Sequence, residues 1–361
     1  MNGAPVVHAV AWPSQPAAAV PELTCLEICA GAGGQSLGLE QAGFAHAAAL
    51  ELDPDACATL RLNRPAWKVV EQDVHHFDGA AYRGVDLLAG GVPCPPFSIA
   101  GKQLGADDER DLFPQALRLV QESRPAAVML ENVRGLSAAR FASYRDQVLG
   151  RLRELGYQAD WQVLNACEFG VPQLRPRFIL VALQPAAYEQ FRWPAAIGTP
   201  PTVGETLREL MAAGGWPGAA AWAEQANGIG ATLVGGSRKH GGPDLGPTRA
   251  RQAWLRLRVD GKGLADGPPT AGHPLDHLPR LTLPMAAAIQ GFPPGWRFAG
   301  RKTAGYRQIG NAFPPPVARA VGKSIRSAIE AARTAKPPGS TAKPPGSTEQ
   351  RRDRARLLRA V

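Results

Sequence analysis

The run Leu23–Ile28 is short and apolar, and it empties into Ala30-Gly31-Ala32-Gly33-Gly34 before a helical pattern over Gln35–Ala42. A strand, a glycine turn and a helix in that order set up a βαβ unit, since parallel strands need a crossover. The rhythm continues. Strands are expected at Ala45–Glu51, Lys68–Gln72, Val85–Ala89, Ala127–Leu130 and Phe178–Leu183. Helices are expected at Pro54–Asn63, Phe113–Glu122 and Tyr144–Leu155, with Pro54 suited to a first helical turn. The pattern predicts an α/β fold: a doubly wound, mostly parallel sheet covered on both faces. A second, smaller and irregular domain follows.

With 361 residues the chain is long enough for two lobes. Residues 1–20 are Ala/Pro-rich and read as disordered, and 21–184 as the α/β domain. Residues 185–279 are rich in Gly, Pro and Trp without clean periodicity, and read as the irregular lobe. Residues 280–332, with an α/β signal near Leu283–Gln290 and a helix over Pro316–Ala332, return to the first domain. In 333–361 the unit AKPPGST occurs twice in tandem before an Arg-rich end, which marks a flexible basic tail. That tail reads equally as a solubilising extension or a DNA tether.

The net charge of +9 is uneven: residues 331–361 carry eight Lys/Arg against two acids, leaving +3 for the rest. The informative patch is 231–262, where Arg238, Lys239, Arg249, Arg251, Arg256, Arg258 and Lys262 face Asp244 and Asp260. It reads as a solvated basic face or a nucleic-acid contact. The five cysteines have no zinc-ligand spacing, so no metal is expected, and reduced thiols fit a cytoplasmic protein. There is no signal peptide and no membrane-spanning run.

Three groups can carry chemistry. The glycine turn lets backbone N–H groups approach a polar ligand at a helix N-terminus. Glu51 closes the second strand, where a carboxylate can bind ribose hydroxyls, and Asp73 closes the third, placed to accept from an adenine amino group. This predicts an adenosine-containing cofactor and leaves NAD and S-adenosylmethionine both open. Cys94 lies between prolines in Val92-Pro93-Cys94-Pro95-Pro96-Phe97-Ser98, on a rigid loop after a strand. Glu131 closes the strand Ala127–Leu130, and Arg175 and Arg177 lie two apart, so alternation directs them to one side.

In order along the chain, these pieces resemble the DNA (cytosine-5) methyltransferase family. Leu26-Glu27-Ile28-Cys29-Ala30-Gly31-Ala32-Gly33-Gly34 is similar to its motif I, Met129-Leu130-Glu131-Asn132-Val133 to motif VI, and Gln173-Leu174-Arg175-Pro176-Arg177 to its Gln-x-Arg-x-Arg pattern. Arg280-Leu281-Thr282 with Gln290-Gly291-Phe292-Pro293 resembles motif IX, and Tyr306–Ala312 resembles motif X. The resemblance spans roughly 22–184 and 276–330. It implies S-adenosylmethionine, held by Gly31, Ala32, Gly33, Gly34, Glu51, Asp73, Val74, Pro93, Asn311 and Ala312. The family usually carries Phe where this chain has Cys29, so adenine stacking is expected to be weaker or supplied elsewhere.

The resemblance also implies a mechanism. Cytosine C5 is a poor nucleophile until a thiolate adds at C6, which is the role of Cys94. Glu131, kept neutral by burial, would donate to N3. Arg177 would hold O2 and brace Glu131, with Arg175 beside it in the catalytic set or on backbone phosphate. The segment Phe97–Gln103, including Ser98, resembles the loop that closes over a base rotated out of the duplex. Residues 185–279 fall where the family keeps its target-recognition domain. Arg238, Lys239 and His240 are the groove candidates, and Arg249 and Arg251, with Arg256 and Arg258, the phosphate candidates. The implied partners are double-stranded DNA and a restriction endonuclease of the same site, and the implied state is a monomer. Three rivals stand beside this reading. An RNA cytosine-5 methyltransferase would share the cofactor chemistry, but the large variable lobe favours DNA. A DNA-binding module without catalysis would not need Cys94, Glu131 and Arg177, and a nicotinamide dehydrogenase shares only the glycine turn.

Overall fold

A computed structural model describes residues 23–93, 111–236 and 244–335. Cys94, Ser98, Arg238, Lys239, His240, the N-terminal stretch 1–20 and the tandem AKPPGST units lie outside the described residues.

Seven strands form the main sheet: β1 (Leu23–Ile28), β2 (Phe44–Glu51), β3 (Val69–Glu71), β4 (Leu87–Gly91), β5 (Ala127–Val133), β6 (Gln158–Asn165) and β8 (Pro176–Leu183). Their order is β3-β2-β1-β4-β5-β8-β6, and only β8 runs antiparallel to its neighbours. The mostly parallel sheet expected from the sequence is present. The expected set lacked β6, an edge strand whose residues are largely polar or half-exposed. Between β1 and β4 the strand order reverses, which opens a crevice at the carboxyl ends of the strands.

Both sheet faces are covered. One carries α1 (Gly34–Gln41) and the long α11 (Pro315–Thr334), packed on Leu23, Leu87, Met129 and Val181. The other carries α3 (Phe113–Ser123) and α4 (Ala142–Glu154), packed on Leu26, Leu88, Val128 and Leu180. Alternate residues of β1, β4, β5 and β8 thus serve opposite cores, as a period of two requires. Asp53 accepts from the Asp55 N–H and caps α2 (Pro54–Asn63), with Pro54 in the first turn as expected.

The region after Leu183, expected as an irregular lobe, carries short helices among longer stretches without regular structure. It holds α5 (Pro185–Tyr188), α6 (Val203–Ala212), α7 (Ala219–Gln225) and α8 (Thr248–Arg256). Thr202 and Glu205 form a reciprocal capping box at α6. The helices are short and separated by Gly and Pro, so no single window showed their period. α6, α7 and α8 share a core with α9 (Leu283–Gln290) and α10 (Lys302–Asn311), centred on Trp222, Trp254, Met285 and Tyr306, whereas α5 packs through Ala187 into the core under α11. β7 (Gln173–Leu174) pairs in parallel with β9 (Gly230–Ala231) and stitches this core to the strand that feeds β8.

Candidate active site

A cavity of about 380 Å³ opens at the crevice between β1 and β4, in the range of small-molecule sites. Its wall includes Gly31, Ala32, Gly34, Glu51, Asp73 and Val74, joined by Pro93, Glu131, Asn311 and Ala312. The glycines are there for steric reasons. Gly33 sits at φ +84 as the N-cap of α1, and a Cβ on Gly34 would lie 2.3 Å from the Phe313 carbonyl oxygen. Gly33 itself packs on Leu60 and Trp296 and is not on the wall.

The carboxylate of Glu51 organises the turn. It accepts from the N–H of Gly31 at 2.7 Å and from those of Leu52 and Asp53 at 2.8 Å each. An ionised carboxylate has about four acceptor sites, so capacity remains toward the cavity. Asp73 accepts from the backbone N–H and the ring of His75, and these bonds hold its pKa below the usual carboxylate range. Cys29 adopts φ +52 on the wall. Burial, then Glu51, Asp73 and Glu27, drive its thiol far above the ordinary range, so it is a packing group and not a nucleophile. Leu52, which the sequence reading missed, is 63 % exposed and presents its side chain to the same wall. With Val74 it offers an apolar surface of the kind a purine ring needs. The signal was an apolar residue wedged between Glu51 and Asp53 at a strand end. Open space beside Gly31, spare acceptors on Glu51 and this aliphatic strip fit an adenosine-bearing ligand.

Glu131 ends in register with Gly91, three residues before Cys94. Its carboxylate Oε1 lies 2.7 Å from Arg177 Nε, each side chain about 10 % exposed. The Nε–H points away from any acceptor, so the pair is a charge contact and not an aligned hydrogen bond. Burial raises the Glu131 pKa, and the attraction of Arg177 and Arg175 opposes that rise without cancelling it. The result is a carboxyl group biased toward its neutral, proton-donating form at the cavity edge. Asn132 Nδ2 donates to the Val92 carbonyl at 2.9 Å and its Oδ1 accepts from the Val133 N–H, which ties β5 to the chain leading into Cys94.

Arg175 corrects the sequence reading. It is wholly buried, and its guanidinium donates to the carbonyls of Leu233 (2.7 Å), Gly310 (2.6 Å) and Ala312 (3.0 Å). It lies between β7 and β8, off the alternation that carries Arg177 to Glu131, and its guanidinium is turned into the protein interior. Gln173 and Gln290 complete the network: Gln173 Nε2 donates to Gln290 Oε1 at 2.8 Å and Gln290 Nε2 donates to the Ala312 carbonyl. Arg307 and Gln308 also reach the cavity wall. They went unread because Tyr306–Ala312 was taken as a motif and not as the helix α10, on which residue 307 shares a face with 311. On α8, Arg249 and Arg256 are exposed, whereas Arg251 pairs with Asp244 at 3.1 Å and Arg258 donates to the Asp276 carbonyl.

Comparison with known proteins finds relatives over most of the chain. The family model described as C-5 cytosine-specific DNA methylase matches residues 23–327. The type II methyltransferase M.NaeI of Lentzea aerocolonigenes is 60% identical over 311 residues, 85% of this chain and 75% of that protein. M.NgoMIV of Neisseria gonorrhoeae is 51% identical over 313 residues, 86% of this chain and 99% of its own. Among solved structures, Spodoptera frugiperda DNMT2 aligns with a TM-score of 0.60 at 16% identity, over 85% of this chain and 99% of that one, a likeness of fold alone.

Proposed function

We propose that this chain, which belongs to the C-5 cytosine-specific DNA methylase family and is a DNA cytosine methyltransferase, uses S-adenosylmethionine and a transient bond from Cys94 to cytosine C6. The observation that supports this most is the Glu131–Arg177 pair, 2.7 Å apart at the cavity edge and in register with the strand that runs into Cys94. S-adenosylmethionine, when bound, supplies an electrophilic methyl group. Gly31, Ala32, Gly34, Glu51, Asp73, Val74, Pro93, Asn311 and Ala312 would hold it, with Leu52 and Val74 against the purine.

The target base must leave the duplex to reach such a site. The Cys94 thiolate attacks C6, and the ring electrons move toward C5 as charge builds at N3. Glu131 donates its proton toward N3, and the Arg177 guanidinium, fixed beside that carboxylate, faces O2. With S-adenosylmethionine bound, C5 would take the methyl group from sulfur, the C–S bond breaking to leave the neutral thioether. Return of the N3 proton to Glu131, with loss of the C5 proton to a base, restores the ring electrons and expels the Cys94 thiolate, so the enzyme is regenerated.

Arg238, Lys239 and His240 are assigned to the groove and Arg249, Arg251 and Arg256 to phosphate, with the lobe 185–279 as the recognition domain. Arg258, held by the Asp276 carbonyl, leaves the phosphate set. The type II names of the relatives support a restriction endonuclease of the same site as functional partner. We place the enzyme in the cytoplasm as a monomer; among the described residues no helix is long and apolar enough to cross a membrane.

Bisulfite sequencing of DNA from cells expressing the chain, with Cys94→Ser beside it, tests the whole reading. Protected cytosines at one recurrent sequence, absent in the serine variant, are expected. Protection that persists in Cys94→Ser would remove the covalent step.

A further inference from the structure

The segment 233–236 leads directly into the proposed groove residues, yet it is built against the cofactor cavity. Asn311 Nδ2 donates to the Gly236 carbonyl at 3.1 Å. A Cβ on Gly235 would fall 2.4 Å from the Arg307 carbonyl oxygen, 2.6 Å from Asn311 Oδ1 and 2.9 Å from Asn311 N. A Cβ on Gly310 would fall 2.3 Å from Gly235 N and 2.5 Å from its Cα. Two glycines therefore let two backbones touch, one from α10 and one from the lobe 185–279. Gly235 has no positive φ, so the demand for glycine there is purely one of space. Arg175 locks the register from behind by holding Leu233, Gly310 and Ala312 through one guanidinium, and Gln173 Oε1 accepts from the Leu233 N–H at 2.8 Å.

Arg307 and Asn311 both line the cavity, and Gly235 does not. From this we infer that Gly235 is a positioning residue: the recognition lobe, through the Gly235–Gly310 seam, sets the orientation of Asn311 and hence the strength of S-adenosylmethionine binding. The seam is also a route by which the two ligands sense one another. Any displacement of 233–236 on binding DNA would act on Asn311 through the Gly236 carbonyl and the Gly235–Gly310 contact, and by linkage the effect on the two affinities would be equal in both directions. This rests on the reading of 185–279 as the DNA-recognition lobe.

The test uses the full chain with S-adenosylmethionine as probe in calorimetry, then DNA affinity with and without S-adenosylhomocysteine. Gly235→Ala and Gly310→Ala, acting from opposite sides of one contact, are expected to weaken donor binding by about tenfold each and to be non-additive together. Val234→Ala, whose side chain is 44 % exposed, is the control in the same segment and should bind donor as the parent does. The ratio of DNA affinities measured with and without S-adenosylhomocysteine is expected to differ from one in the parent and to approach one in both glycine variants, while melting temperatures report any general loss of folding. Parent-like donor affinity in a folded Gly235→Ala overturns the proposal. So does a coupling factor unchanged from the parent. If instead the parent shows no site-specific DNA binding that depends on the lobe's arginines, the recognition reading fails while the donor-binding result still judges the seam.

Discussion

At residue scale, two arginines two positions apart do unrelated work, and burial of their partners decides which is which. Arg177 meets a carboxylate; Arg175 meets three buried carbonyls, of which Ala312 is held by Gln290 as well. Arg175→Met should therefore cost about 3 kcal/mol of stability in denaturant melts, since it strands buried acceptors. Arg177→Lys should keep the fold and lower kcat by about a hundredfold or more in single-turnover assays, because a point charge cannot reproduce the planar fork. Glu131 gives a pH signature. Its folded pKa is raised from 4.5 by burial, so the folded state keeps the proton where the unfolded chain has lost it. The stability this confers is full below about 4.5 and disappears as pH rises through the raised value. Glu131→Gln, which cannot titrate, should gain on the parent in melting temperature between pH 4.5 and neutrality; equal pH slopes would contradict the assignment.

At the scale of elements, the sheet reads directly from the chain and its reversal does not. Five parallel strands were legible as apolar runs between helices, and Asp53-Pro54 marked α2. That β8 runs backwards was not legible, because hydrophobic alternation carries no direction. Its reversal matters: an antiparallel strand begins at the edge where β1, β4 and β5 end, and this puts Arg177 beside Glu131. The turn into α1 is equally dependent on its neighbours. Gly34→Ala would drive a methyl group into the Phe313 carbonyl, 2.3 Å away, at the junction of α10 and α11. We expect a loss of about 1–3 kcal/mol in thermal or denaturant unfolding, together with weaker donor binding by calorimetry.

At the scale of the whole molecule, the basic residues of the lobe differ in how far they are committed to protein partners. Arg251 and Arg258 are engaged with Asp244 and the Asp276 carbonyl, whereas Arg249 and Arg256 are exposed on α8. Replacing Arg249 and Arg256 together with Ala should weaken binding alike on target and unrelated duplexes. The slope of log affinity against log salt should become shallower by about two, as loss of two phosphate contacts requires. A change of preferred sequence, with slope preserved, would assign them to base readout instead.

By itself, the sequence determined the chemistry and its order: a glycine turn, a thiol among prolines, a carboxylate at a strand end and an Arg-x-Arg pair. Each is a local statement about which backbone a residue permits and which reaction its side chain supports. The tertiary structure decided which of those groups meet. It placed Arg177 on Glu131, set Arg175 to brace the backbone, turned Asn132 toward Val92 and brought Gly235 against Gly310. These pairings join residues as far as 137 positions apart. They are fixed by close packing and by the cost of leaving buried polar groups unpaired, which no local pattern encodes.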